Sequence, residues 1–399
     1  MPIRLLVSTR KGLFIAQRGP RGFTLGEPAF LGAAVSLAMV DPRDGALYAA
    51  LEHGHFGPKL QRSDDGGRTW QEVGVPVYPK PRRGECVTDD MGRPVPWSTS
   101  VLWALEIDPL TDGGLWCGTV PGGLFHSADR GATWRLVRSL WDVPERRVWS
   151  GVVHDAPGLH SVCVDPRDPR VLLVGVSTGG VWQSLDHGAS WQNVGQGLRA
   201  EYLPRAERFA LARQDVHRLV QCPARPDRVW CQHHNGIFRS DDGGTTFVEV
   251  SKAARPSAFG FAVAVHPRDP DVAWFVPAVK DECRVPADGR LAVTVTRDGG
   301  RTFRTLTRGL PRPAYDLVLR HALDVDETGE RLALGSSTGG LWVSEDGGAS
   351  FTCVSAHLPP IYAVRFVPQA TRRARRGGVT AVRRARRRPV RSAGREPAR

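Results

Sequence analysis

The chain has 399 residues, 41% of them hydrophobic and 8% aromatic, a bulk that can bury a large core. Its formal charge is +13, yet Pro368 to Arg399 carries twelve Arg against one Glu, which is +11 of that total and leaves the body near neutral. Nucleic-acid binding therefore cannot be argued from the charge of the body, only from the tail 368–399, an Arg-rich run expected to be disordered.

Met1 to Lys11 holds no long apolar stretch and no small-residue cleavage site, and no later segment approaches membrane-spanning length. No membrane partner is expected, and a cytoplasmic location is. Seven cysteines, at positions 86, 117, 163, 222, 231, 283 and 353, form no C-x-x-C pair and lie mostly in strand-like runs, as buried thiols in a reducing compartment would.

In chain order, Arg4-Leu-Leu-Val-Ser-Thr9 and Gly12-Leu-Phe-Ile-Ala16 read as strands, followed by a decayed turn at Arg18 to Phe23. Val35 to Asp41, closed by a Pro/Asp turn, and Ala46 to Leu51 come next. Then a phrase appears that the chain uses six times: Ser63-Asp-Asp65-Gly-Gly67-Arg-Thr69-Trp70. It recurs from Ser127 to Trp134, Ser184 to Trp191, Ser240 to Phe247, Thr296 to Phe303 and Ser344 to Phe351. The frame is hydroxyl, any, Asp, any, Gly, any, hydroxyl, aromatic. An Asp carboxylate accepts from backbone N–H groups just downstream, and the Gly two residues later takes the positive φ of a tight reversal. Each phrase is therefore a hairpin turn between an alternating strand and a return strand opened by the aromatic residue.

The phrase resembles the Asp-box, or BNR repeat, of sialidases, sortilin-like receptors, xyloglucan-cleaving glycosidases and a photosystem II assembly factor. That resemblance implies a propeller whose boxes are structural and lie away from the ligand site. Asp65, Asp129, Asp186, Asp242, Asp298 and Asp346 are accordingly expected to cap turns and not to react.

Upstream of each box sits a first-strand run: Val101 to Asp108, His160 to Asp165, Val216 to Cys222, Phe259 to His266 and Leu317 to Asp326 continue the series, and Ile361 to Val367 has no hairpin after it. The missing hairpin is at the N-terminus. Seven first strands and seven second strands, one set split between the termini, predict an all-β fold: a seven-bladed β-propeller of four-stranded antiparallel blades over residues 1–367. The C-terminal strand is expected to close the ring by pairing into the N-terminal blade, which removes an exposed sheet edge.

Boxes and first-to-second turns share one face; blade-to-blade and second-to-third links share the other, where the long insertions Val75 to Ser100, Leu140 to Leu159, Arg199 to Val216 and Pro277 to Arg290 fall. Loops of this length are commonly functional, and their aromatic residues are expected to pack as a lid over the channel. Seven of the twelve His lie on this face. The candidate ligand-binding residues are His53, His55, Lys59, His154, His160, Asp215, His217, His233, His234, Asp281, Glu282 and Arg284, on blades two, four, five and six. The links Thr178-Gly-Gly180 and Thr338-Gly-Gly340 look bare by contrast. His53, His217, His233 and Asp281 are expected to converge at the channel mouth. No compact ligand spacing marks a metal site, so neither metal nor cofactor is expected.

Three functions fit this reading. The first is a sialidase-like propeller that binds a small polar or glycan-type ligand in a lidded pocket. The second is a glycoside hydrolase with Asp281, Glu282 and His217 as catalytic groups. The third is a protein-assembly scaffold. Against a true sialidase, the Tyr/Phe-Arg-Ile-Pro motif of that family is replaced by Pro2-Ile-Arg4-Leu, and against the xyloglucan-cleaving enzymes, the chain has room for one propeller where they use two.

Overall fold

The computed structural model describes residues 3–82, 97–151 and 156–368. Seven antiparallel sheets stand in a ring, each with a path of four strands, and the sheet that joins the first and last strands runs Ile361–Val367, Arg4–Thr9, Gly12–Gly19, Gly22–Leu25. Counting this as blade 1, the innermost strands of blades 2 to 7 are Ala34–Val40, Val101–Ile107, Leu159–Val164, Val216–Cys222, Gly260–Val265 and Leu323–Val325. Closure has the expected register, with Arg4 opposite Val367, Leu5 opposite Phe366 and Val7 opposite Val364.

The core lies between blades. Alternation on the second strands of blades 2, 3, 5 and 6 sends one large side chain against the neighbouring blade: Tyr48, Trp116, Trp230 and Trp274 occupy matching positions and are all at most 2% exposed. Each such ring removes on the order of 150–250 Å² from water, roughly 4–6 kcal/mol by area. The indole of Trp274, for example, sits among Ala262, Val276, Leu332 and Phe351 and binds blade 6 to blade 7.

The boxes fold as their chemistry requires. In the first, Ser63 Oγ donates to Asp65 Oδ1 at 2.8 Å and accepts from the Gly67 N–H at 2.8 Å, while Thr69 N and Oγ1 donate to the two carboxylate oxygens at 3.0 and 2.6 Å. Gly67 takes φ 95°. The same bonds recur around Asp186, which accepts from Ser184 Oγ, Ser190 N and Ser190 Oγ. These donors hold the box carboxylates below the usual carboxylate range, as at Asp65 and Asp186.

Two expectations need correction. The last inner strand is Leu323–Val325 and not Leu317 to Asp326, because the chain turns at Leu319–Ala322 and carries Arg320 away from the sheet. The segment Pro277 to Arg290 is not an irregular loop: Ala273–Lys280 and Cys283–Pro286 pair as a hairpin that extends blade 6 above the ring. Of the aromatic residues in the insertions, Trp141 and Trp149 are 2% exposed, so they are core, while Tyr202 and Phe209 stay in solvent. The Arg-rich tail from 369 onward, Cys86, Asp89, Asp90 and His154 lie outside the described residues.

A candidate ligand site at the channel mouth

Six inner strands carry a β-bulge at the same height. Their extra residues are Ser36, Trp103, His160, His217, Tyr362 and the pair Phe261–Ala262 opposite Val276. A bulge leaves one residue unpaired and re-aims its side chain. Here most of the re-aimed side chains face the mouth, where they line two adjoining hollows.

The wider hollow, of about 510 Å³, is framed by Ser177 and Thr178 of blade 4, Tyr202 of the following link, Asp215, His217, His234 and Asn235 of blade 5, and Phe259, Phe261 and Lys280 to Arg284 of blade 6, with Arg320 from the approach to blade 7. The narrower, of about 240 Å³, lies toward Ser36, Glu52, Trp103, Leu319 and Tyr362. Phe261, Arg284 and Arg320 line both, so the two are arms of one forked cleft.

Arg320 stands at the fork. Its guanidinium lies 5.0 Å from the Trp103 ring centroid and 5.2 Å from that of Phe261, an aromatic sandwich suited to a cation. The residue is 8% exposed, and its Nε is buried with no hydrogen-bond partner among the described residues. Burial pulls its pKa down to about 10, which leaves it charged at neutral pH. Arg284 is neutralised by contrast: Asp281 Oδ1 accepts from its Nη2 at 2.5 Å.

Blade 5 supplies a compact cluster in which one ligand atom each from Asp215, His217 and His234 lie within 4.8 Å of one another. His217 Nδ1 donates to the Gly260 carbonyl at 2.6 Å, and its ring stacks on Phe261 at 4.5 Å and 16°. Its Nε2 faces Asp215 Oδ2 at 3.6 Å, and His234 Nδ1 lies 3.1 Å from the same oxygen. Burial lowers the His217 pKa; at Asp215 burial works against the charge, while His234 and the Arg320 guanidinium favour it.

On the box face a second cluster, Asp108, His126 and His187, ties blade 3 to blade 4. There His126 Nε2 lies 2.8 Å from Asp108 Oδ2, the Leu110 N–H donates to Oδ1 at 3.0 Å, and His187 Nε2 stands 3.1 Å from Oδ1.

The structure thus brings together Asp215, His217, His234, Asp281, Glu282 and Arg284. It does not bring in the other candidates among the described residues. His53 and His55 flank and occupy the exposed turn Gly54–Phe56 and line neither arm; only their neighbour Glu52 does. Lys59 is turned to Glu72, 2.8 Å away. His160 is fully buried, packed on Trp103 and joined through Nε2 to the Val216 carbonyl at 2.7 Å, so it fastens blade 4 to blade 5. His233 ends a strand with its ring turned inward onto Phe238 and its Nδ1 accepting from Asn235 N at 3.1 Å. Blade 4's Thr-Gly-Gly link, which looked bare, supplies Thr178 to the wider arm. Sequence reasoning missed Arg320, Phe259 and Phe261; for Phe261 the signal that could have found it is the break in strand alternation at the bulge.

Comparison with known proteins fits this architecture. The BNR/Asp-box repeat pattern matches residues 61–72. The oligoxyloglucan reducing-end-specific xyloglucanase of Emericella nidulans is 34% identical over 91 residues, 23% of this chain and 10% of that protein. The GH74 enzyme of Niastella koreensis superposes with TM-score 0.59 at 17% identity, over 88% of this chain and 51% of that one. The GH74 xyloglucanase of Xanthomonas campestris gives 0.59 at 18% identity, over 92% and 53%. The chain therefore spans about half the length of these solved structures. It is a seven-bladed propeller of the BNR/Asp-box kind.

Proposed function

We propose that the protein binds a small polar, carbohydrate-like ligand bearing an acidic group in the forked cleft. The observation that carries this is Arg320: a buried guanidinium without a carboxylate partner among the described residues is costly to hold, and an incoming anion offsets that cost. Around it stand Tyr202, Phe259 and Phe261 as apolar faces and Asn235, His234 and Arg284 as polar groups, the mixture that orients a small ligand. Similarity to xyloglucanases supports a glycan-type ligand. The test is calorimetric titration with xyloglucan oligosaccharides and with uronate-containing oligosaccharides. Binding of the acidic set, lost in Arg320→Met, is the expected result; binding unaffected by that change would refute the role of Arg320.

Glycoside hydrolysis is the second reading, favoured by the named activity of the relatives. Asp281 is tied to Arg284, and Glu282 is exposed with its pKa lowered first by its own backbone N–H and then by Lys280, so Glu282 is not poised as a protonated acid. Burial raises the pKa of Glu52 in the narrower arm, making it the better general-acid candidate. Turnover of aryl glycosides abolished in Glu52→Gln would support this reading, and its persistence there would remove it.

A further inference from the structure

We propose that Asp215, His217 and His234 hold a divalent transition-metal ion of the zinc class, with a coordination position open to the wider arm. The inference shares that arm with the ligand reading but rests on the three donors alone.

The argument begins with the His217 tautomer. A carbonyl oxygen only accepts, so the 2.6 Å contact with Gly260 places a proton on Nδ1, and in the neutral ring this leaves a lone pair on Nε2. That lone pair points at the Asp215 carboxylate from 3.6 Å, beyond hydrogen-bond reach. Two acceptors facing each other in a buried site repel unless a cation lies between them. Bonds of about 2.0–2.1 Å at near-tetrahedral angles separate two ligand atoms by about 3.3–3.5 Å, close to the gap observed.

Asp215 supplies the second, independent observation. It is 5% exposed, and its Oδ1 is buried with no hydrogen-bond partner among the described residues. A buried carboxylate oxygen normally finds donors; this one has none, beside two imidazoles. The rings are also fixed in place, with His217 stacked on Phe261 and His234 edge-on to Phe259 at 5.7 Å. A ligating His commonly donates its other N–H to a carbonyl, as His217 does to Gly260.

Two nitrogens and one oxygen select an ion of the zinc, cobalt or nickel type over magnesium or calcium, which favour all-oxygen sets. Three protein donors leave a fourth position for water or a ligand oxygen, and the 510 Å³ arm gives it room. The Asp108 cluster is the internal control: its carboxylate oxygens face His126 Nε2 and Leu110 N–H at hydrogen-bonding distances.

The test uses the full chain, stripped with chelator and dialysed, titrated with zinc by calorimetry and with cobalt by its visible d–d absorption. One equivalent is expected. His234→Ala, at a partly exposed position, should weaken binding by more than the roughly 10–100-fold that loss of an outer-shell partner costs. Asp215→Asn should do the same, with melting curves confirming the fold; if it does not fold, His234→Ala decides. His126→Gln should leave the titration unchanged. No zinc binding by the wild type, binding unaltered in His234→Ala, binding abolished in His126→Gln, or displacement by millimolar calcium would each overturn the inference. Because no sugar is present, failure of the ligand reading does not touch this result.

Discussion

Two clusters of one Asp and two His stand on opposite faces of the ring, equally compact and differently wired. Asp108 has both oxygens engaged by neighbours, and its pKa is driven well down chiefly by the His126 and Thr111 side chains against burial. Asp215 has one oxygen, Oδ1, with no partner among the described residues, while His217 Nε2 faces the other, Oδ2, from 3.6 Å. The first is a strut between blades. The second is a receptacle, and the same contrast separates the saturated box carboxylates from the groups at the mouth. Identical residue types therefore say little until the hydrogen bonds around them are counted.

The comparison breaks most visibly at the strut. Asp108→Ala leaves the His126 imidazole and a backbone N–H without their acceptor, and a loss of about 3–5 kcal/mol is expected in urea melts. An effect below about 1 kcal/mol would show the cluster to be ornamental. Asp215→Asn removes a charge that already has one oxygen without a partner among the described residues, so in metal-free protein its loss of stability should be clearly smaller than that of Asp108→Ala. A loss as large as that of Asp108→Ala would erase the distinction.

Arg320→Met sharpens it from the other side. Removing a buried unpaired cation and keeping its apolar stem should cost at most about 1 kcal/mol of stability, while affinity for acidic ligands falls by at least about tenfold. Equal affinity for neutral and acidic sugars in the wild type would refute this.

Much of the fold was legible because the box is a local device: hydroxyl, Asp and Gly at fixed offsets make one turn, and six such turns fix the blade count. The mouth was only partly legible. Its chemistry depends on β-bulges, which cannot be seen where a strand is read simply as alternating, so Phe261 passed for an ordinary strand residue, and on the turn at Leu319–Ala322, so Arg320 was read as part of a strand run. His233 and His234 show the same problem in miniature, since one step along the chain reverses the direction of the ring and only the second reaches the cleft. His53 and His55 misled by type alone: they sit in a link on the correct face, on an exposed turn outside the cleft.

The smallest effect expected concerns pH. Asp324 lines the channel with Arg218 and Arg365, accepts from Phe366 N at 2.7 Å, and is pushed up to about 6, chiefly by burial. A carboxyl whose folded-state pKa is raised stabilises the fold fully below its unfolded value near 4 and loses that contribution as pH rises through about 6. The box carboxylates have the opposite sign, stabilising above about 4 and losing that contribution as pH falls toward 2, as Asp186 with its pKa near 2 illustrates. Urea midpoints should therefore rise from pH 2 to 4 and show a shallow decline from 4 to 6 that Asp324→Asn removes; an unchanged profile in that variant would assign the decline elsewhere.

The central claim, that the mouth is built to receive what the box face already supplies for itself, is tested most directly by the protonation state of one ring. Nitrogen NMR of histidine-labelled, metal-free protein, with His217 assigned from a His217→Gln variant, reads it at neutral pH. The account predicts a neutral imidazole with its proton on Nδ1 and a bare Nε2. An imidazolium, or a proton on Nε2 directed at Asp215, would make that cluster a satisfied strut like the other and contradict it.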